Sequence, residues 1–290
     1  MLGAIEGGGT KFVCAVSDPA LNIIDKIIIE TESPKITLSS VFDFFSNHKI
    51  KALGLGSFGP IDINPKSKQY GYITSTPKLE WKNFNILQSI KDKISPKVAL
   101  NTDVNVAAYA EFKRGAAVGK DSCVYLTIGT GIGGGVIINR SIVNNQQHPE
   151  LGHIFVNRKK DDTFSGNCPY HKDCLEGLAS GPAIIKRWNK TPSKLPDNHI
   201  AWEFEAYYLA QAIANYTLTI APELIILGGG VMNNANLLNK IKSQFVSLIN
   251  NYFDLPNVDQ YIVTPALGNE AGIIGGLLIA KELLETKESK

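Results

Sequence analysis

Two glycine-rich runs in the chain carry a threonine in their midst: Glu6-Gly7-Gly8-Gly9-Thr10-Lys11 and Gly129-Thr130-Gly131-Ile132-Gly133. Glycine lets backbone amides approach an anion closely, and a threonine hydroxyl adds a donor, so each run can cradle phosphate. One such turn alone is also what a tight β-hairpin needs. Two of them, each opening a similar strand pattern, suit a clamp on the phosphate tail of a nucleotide. Gly129, Gly131 and Gly134 also have the spacing of a dinucleotide-binding fingerprint. That motif requires a helix next, whereas Val136-Ile137-Ile138 is β-branched and strand-like. No Walker A run is present. A third cluster, Gly228-Gly229-Gly230, is either a tight strand-to-helix connection or a place where backbone approaches a flat ligand such as adenine or ribose. Ser180-Gly181-Pro182-Ala183 offers a second wall for such a ligand.

Thr102-Asp103-Val104-Asn105 joins a strand to a helix. Phosphoryl transfer to an alcohol needs positioning, charge neutralisation and a base for the hydroxyl proton, which one carboxylate in a cleft can supply. Asp103 also stands at an ordinary capping position. His153 with the run Cys168-Pro169-Tyr170-His171-Lys172-Asp173-Cys174 offers two cysteines and two histidines. Zinc in a structural role takes four nitrogen and sulfur ligands in a closed tetrahedron. The flanking Asn, Gly, Pro and Lys residues form no obvious core, so a metal staple is expected there. A solvated loop with incidental Cys and His is the alternative. Glu150 and Glu176 flank the cluster, and a zinc could hold both carboxylates toward a polyol.

These residues need elements to hold them. Leu2–Gly7, Phe12–Val16 and Ile23–Ile29 read as an antiparallel meander. Helices are expected over Thr37–His48, Phe84–Ile94, Val104–Gly115, Glu203–Ile220, Leu237–Asn250 and Ala271–Leu284. Strands are expected at Ala52–Ser57, Val98–Leu100, Cys123–Ile128, Val136–Ile138, Ile142–Val143 and Glu223–Leu227, with Gly129–Gly135 as a turn and 285–290 as a frayed tail. The strand–turn–strand opening recurs at Cys123, which predicts two related lobes. The first spans 1–115, with a C-terminal helix at about 271–290 packing back on it. The second spans 116–270 and carries the zinc loop at about 153–174.

Composition narrows the classes. A length of 290 residues suits about two domains. A net charge of +2 argues against a nucleic-acid partner. The N-terminus lacks signal-peptide features, and no apolar run approaches the roughly 20 residues that span a bilayer, so a cytoplasmic protein without a membrane partner is expected. Cys14 and Cys123 lie in strand-like runs and read as small buried hydrophobes.

Taken together, the two turns, Gly56-Ser57-Phe58-Gly59-Pro60, Thr102-Asp103-Val104-Asn105, His148-Pro149-Glu150-Leu151-Gly152-His153, and the Cys168–Cys174 loop running into Glu176 resemble the ROK family of sugar kinases and repressors. The resemblance covers essentially the whole chain and points most to the bacterial fructokinases of that family. It implies an α/β, actin/hexokinase-like (ribonuclease H-like) two-lobed kinase fold with MgATP in the interlobe cleft. It implies Asp103 as catalytic base. Gly8, Gly9, Thr10, Lys11, Gly129, Thr130 and Gly131 would hold the ATP phosphates, with Pro182 and Gly228, Gly229 and Gly230 near the nucleoside. Gly59, Thr102, Glu150, His153 and Glu176 would contact the sugar, with His153 also ligating zinc. A homodimer is usual for the family.

Three departures stand out. The family's first turn often begins with Asp, which orients magnesium, whereas this chain has Glu6; Glu6 and Asp103 are its candidate magnesium contacts. Thr102 replaces a common Asn. His171 replaces, at a shifted place, one cysteine of a three-cysteine zinc run. These changes resemble the fructokinase branch and favour fructose as acceptor. The family's repressors carry a DNA-binding domain ahead of the first turn, and five residues before Glu6 leave no room for one. A non-sugar phosphotransferase on the same fold fits the zinc loop and its carboxylates less well.

Overall fold

The computed structural model describes residues 1–94, 97–144, 148–252 and 254–288. From the N-terminus come β1 (Leu2–Gly7), β2 (Lys11–Ser17), β3 (Ile23–Glu30), α1 (Pro34–Ser46), β4 (Ala52–Ser57), β5 (Tyr72–Ile73), β6 (Phe84–Asn85), α2 (Ile86–Lys93), β7 (Val98–Thr102) and α3 (Asp103–Arg114). There follow β8 (Cys123–Ile128), β9 (Ile132–Ile138), β10 (Ser141–Ile142), α4 (Leu175–Ala179), α5 (Gly181–Trp188) and α6 (Ala201–Ile220). The chain ends with β11 (Ile225–Gly228), α7 (Leu237–Ile249), α8 (Val258–Tyr261), β12 (Ile262–Val263) and α9 (Ala271–Glu288).

Two five-stranded sheets have the same plan. One runs β3-β2-β1-β4-β7, the other β10-β9-β8-β11-β12. In each, a hairpin supplies an antiparallel pair (β1 with β2, β8 with β9), and the first hairpin strand then pairs in parallel with the next long strand (β4 or β11). This mixed α/β plan is the actin/hexokinase-like one. Contacts divide the chain into two units. The first is Met1–Arg114 with Ile142–His148 and Asn269–Lys290; the second is Gly115–Ser141 with Pro149–Gly268.

In the first unit β1 and β2 are buried almost throughout, as strands covered on both faces must be. Their cover includes α9, which lies on β1 and β4 and against α3. Phe12, Phe58 and Trp81 build an aromatic core on the other side, with Phe12 stacked on Trp81 at 5.4 Å. Cys14 and Cys123 are buried in their strands, and burial pushes the Cys14 thiol well up from its ordinary value.

Some expectations from the sequence need correcting. The run Gly129–Gly135 is not one turn. The turn is short, and β9 begins at Ile132, so Gly133, Gly134 and Gly135 pair with Thr127, Leu126 and Tyr125. The reason is packing: a Cβ on Gly134 would lie 2.5 Å from the Leu151 side chain, so glycine lets the following loop sit on the strand. The helix expected from Phe84 begins at Ile86, because Phe84 and Asn85 pair with β5 and the Asn85 side chain accepts the Gln88 amide. Of the tail expected to fray at 285–290, residues 285–288 continue α9 to Glu288, and 289–290 lie outside the described residues.

Candidate active site

In the first unit β1, β4 and β7 are parallel, so their C-terminal ends share one edge. Gly7 pairs with Ser57, and Ser57 with Thr102. Open α/β sheets bind ligands at such carboxyl ends. The first glycine turn leaves this edge, closed by a hydrogen bond from the Gly8 amide to the Lys11 carbonyl at 2.9 Å. Phe58, beside Gly59, donates its amide to the Gly7 carbonyl at 2.6 Å and ties the two segments together. Thr10 is exposed at the tip of the turn.

Glu6 is the last polar residue before that turn. Its carboxyl packs against the first turn of α9: a Cβ on Gly272 would lie 2.2 Å from Glu6 Cδ, so only glycine fits there. Burial pushes the Glu6 carboxyl above the ordinary carboxylate range, and the nearby Lys11 ammonium partly opposes the shift. The helix N-terminus favours the charged form as well.

Asp103 follows Thr102 at the end of β7. The side chain that caps α3 is that of Thr102, whose hydroxyl accepts the Asn105 amide at 3.1 Å. Thr102 is only 3% exposed, and capping is what its hydroxyl does in this structure. Asp103 is half-buried, with Oδ1 accepting the Val104 amide at 2.9 Å. The ordinary capping explanation for an aspartate here is therefore carried by its neighbour.

Sequence reasoning missed the support beneath it. Asn101 Oδ1 accepts the Thr102 amide at 2.9 Å and the Asn105 side-chain amide at 2.7 Å. Both asparagines are buried, and Asn105 Oδ1 has no hydrogen-bond partner among the described residues. The network fixes the strand-to-helix junction that carries Asp103. The signal was an Asn two places before and another two places after the aspartate.

In the second unit the other glycine turn closes the β8–β9 hairpin, and two further segments meet it. The Gly181 amide, at the start of α5 beside Pro182, donates to the Gly129 carbonyl at 2.8 Å. Gly229 adopts φ +92°, and a Cβ there would lie 2.4 Å from the Ile128 carbonyl oxygen. Gly129–Gly131, Pro182, Gly229 and Gly230 thus lie together, with Thr130 exposed among them, while Gly228 is buried at the end of β11. Ser180 caps α5, its hydroxyl accepting the Ala183 amide at 3.4 Å.

The loop before α4 brings four ligand atoms together. Those of His153, Cys168, His171 and Cys174 all lie within 4.8 Å of one another. Cys168 Sγ is 3.8 Å from both His153 Nδ1 and His171 Nδ1, and Cys174 Sγ is 3.5 Å from His153 Nδ1. Tetrahedral zinc with bonds of about 2.3 Å to sulfur and 2.0–2.1 Å to nitrogen puts S and N about 3.6 Å apart. The residues fit zinc. Burial pushes the Cys174 thiol up to about 12, so a cation is what would hold it as thiolate.

Glu176 connects this cluster to the glycine turn. Its Oε2 accepts the Ile132 amide at 2.9 Å, directly after Gly131, and its Oε1 lies 3.9 Å from His153 Nε2. Glu150 is exposed, one helical turn ahead of His153, whose amide donates to the Glu150 carbonyl at 3.0 Å. The loop has a second fastening that the sequence did not reveal. Asp162 forms a buried ion pair with Arg187 of α5 at 2.8 Å, and the Arg187 guanidinium stacks on Phe164 at 4.6 Å.

The sequence matches the ROK family over residues 2–283. The chain belongs to the ROK family. Among its relatives, a fructokinase of Pediococcus pentosaceus is 46% identical over 285 residues, covering 98% of this chain and 99% of that one. A fructokinase of Lactococcus lactis subsp. cremoris is 47% identical over 289 residues, covering 99% and 98%. The crystal structure of a ROK hexokinase from Thermus thermophilus superposes with a TM-score of 0.78 at 26% identity, covering 99% of each chain. Among the described residues of this ROK protein, no helix is long and apolar enough to cross a membrane.

Proposed function

We propose that this ROK protein phosphorylates D-fructose with ATP, giving fructose 6-phosphate and ADP. The observation that carries the reading is the full-length likeness to fructokinases at 46–47% identity. The site chemistry agrees with it. Asp103, next to the capping residue Thr102, accepts the proton of the attacking hydroxyl. Glycine-turn amides with the hydroxyls of Thr10 and Thr130 take the ATP phosphates. Pro182 and Gly228–Gly230 border the nucleoside. Lys11 adds positive charge at the first turn. Gly59, Glu150, His153 and Glu176 bind and orient the sugar, while Thr102, buried and capping α3, holds the junction that carries Asp103.

Magnesium bound with the nucleotide neutralises phosphate charge, and the carboxylates of Glu6 and Asp103 are the hard oxygen ligands it takes. Bound zinc supplies structure rather than chemistry: His153, Cys168, His171 and Cys174 fill all four positions. We place the enzyme in the cytoplasm, with its ATP, as a homodimer.

The test is a hexose panel assayed by ADP release. Turnover of fructose well above glucose, mannose and N-acetylmannosamine is expected. Robust turnover of another hexose with none on fructose overturns the acceptor, and no turnover on any sugar overturns the kinase.

A further inference from the structure

One cation at the first glycine turn is not accounted for by the roles above. The segment 74–81 is anchored in the first unit by Trp81, which is buried, stacked on Phe12, and donates its Nε1–H to the Glu32 carbonyl at 2.8 Å. Within that segment the Lys78 amide donates to Thr76 Oγ1 at 3.2 Å. The Lys78 ammonium donates to the Thr31 carbonyl at 3.3 Å. Thr31 in turn braces the glycine turn, its amide donating to the Thr10 carbonyl at 3.0 Å and its hydroxyl to the Gly8 carbonyl at 2.8 Å. Lys78 is thus tethered to the residue that shapes the turn.

The space over the turn is open. A Cβ built on Gly9 would meet one heavy atom within 4 Å, the Cε of Lys78 at 4.0 Å. The ammonium has three protons and one long protein bond, and among the described residues no carboxylate lies within ion-pair distance of it. A half-buried cation beside a glycine turn, with no counter-charge among the described residues, is built to receive an anion.

Resting on the kinase reading above, we propose that Lys78 is a catalytic residue that binds the transferred γ-phosphoryl group. In that step the sugar hydroxyl oxygen forms a bond to the γ-phosphorus and its proton passes to Asp103. The bond from the γ-phosphorus to the bridging oxygen breaks, and its electron pair stays on the β-phosphate of ADP. Lys78 donates to a γ-oxygen throughout, where charge must be neutralised.

The test compares wild type, Lys78→Met and Lys78→Arg. Steady-state rates with ATP and fructose are paired with calorimetric affinities for ADP and for the non-hydrolysable analogue AMPPNP. Lys78→Met should lower kcat about 10²–10³-fold, the effect of removing one preorganised donor. It should leave the fructose KM within about twofold and weaken AMPPNP binding while ADP binding is kept, and Lys78→Arg should recover part of kcat. A Met variant with wild-type kcat, or one losing ADP and AMPPNP affinity equally, overturns the proposal. If wild type phosphorylates no sugar, the kinase reading fails, and the AMPPNP-against-ADP comparison still decides the role of Lys78 at the phosphate. If Lys78→Met does not fold, Lys78→Arg decides alone: an unchanged AMPPNP-to-ADP affinity ratio with unchanged kcat overturns the proposal, and a shift in both supports it.

Discussion

Glu176 stands between His153 and the second glycine turn: one carboxyl oxygen lies 3.9 Å from His153 Nε2 while the other accepts the Ile132 amide at 2.9 Å. His153 turns its other nitrogen, Nδ1, to the two thiols. A carboxylate facing the far nitrogen of a histidine favours a proton on that nitrogen and leaves the other free to ligate a metal. Glu176 therefore lies between the Cys/His cluster and the second glycine turn.

Glu176→Gln keeps an oxygen for the Ile132 amide but loses the negative charge facing His153. It should cost about 10–100-fold in zinc affinity or in kcat/KM for fructose, the usual range for such partners. The KM for ATP should stay near wild type. Glu176→Ala removes the acceptor of the turn as well and should raise the KM for ATP. Metal titration alongside steady-state kinetics separates the two variants.

The native protein should contain one zinc per chain by elemental analysis. Cys168→Ala should lose it and raise the KM for fructose about tenfold or more, because His153 loses its anchor. Protein purified without chelator and free of zinc contradicts the site.

Glu205 of α6 is fully buried, neither carboxyl oxygen has a hydrogen-bond partner among the described residues, and burial raises its pKa well above the ordinary value, with Arg187 opposing. The folded state thus binds this proton more tightly than the unfolded state. Below the ordinary carboxylate range both states carry it, so the site is neutral to stability. As pH rises above that range, holding the proton or burying the charge costs stability. Glu205→Gln should raise the Tm at pH 8 and leave it nearly unchanged at pH 4.5. Relief of about 1–2 kcal/mol is about 2–8 °C for a unit of this size. Melting curves of both proteins at the two pH values check the sign; an equal shift at both would point to packing instead.

Much of this was legible in the sequence because the relevant spacing is local. The ends of β1, β4 and β8 fall where apolar runs meet glycine, and the ligand run Cys168–Cys174 closes on itself within one loop, with Lys172 paired back to Cys168. What stayed hidden depends on contacts across the fold. The glycines after Ile132 looked like turn residues, yet they serve the packing of Leu151 against a strand. Asp103 reads in the sequence as a candidate base at a position where a cap is also ordinary, and it is the fold that gives the capping role to the Thr102 hydroxyl. Glu205 sits in an ordinary helical sequence, and only the fold shows it as a buried acid near Arg187 of α5. Lys78 lies in a loop rich in Pro and Ser, and nothing in its neighbours says that it reaches Gly9.

The most direct test of the account is phosphorus NMR of wild type and Asp103→Asn incubated with ATP, magnesium and fructose. Wild type should give fructose 6-phosphate and ADP in equal amounts. Asp103→Asn should form the same product about 10²–10⁴-fold more slowly while still binding ATP. A variant as fast as wild type would remove Asp103 as the base, and a wild type that makes no sugar phosphate would contradict the account as a whole.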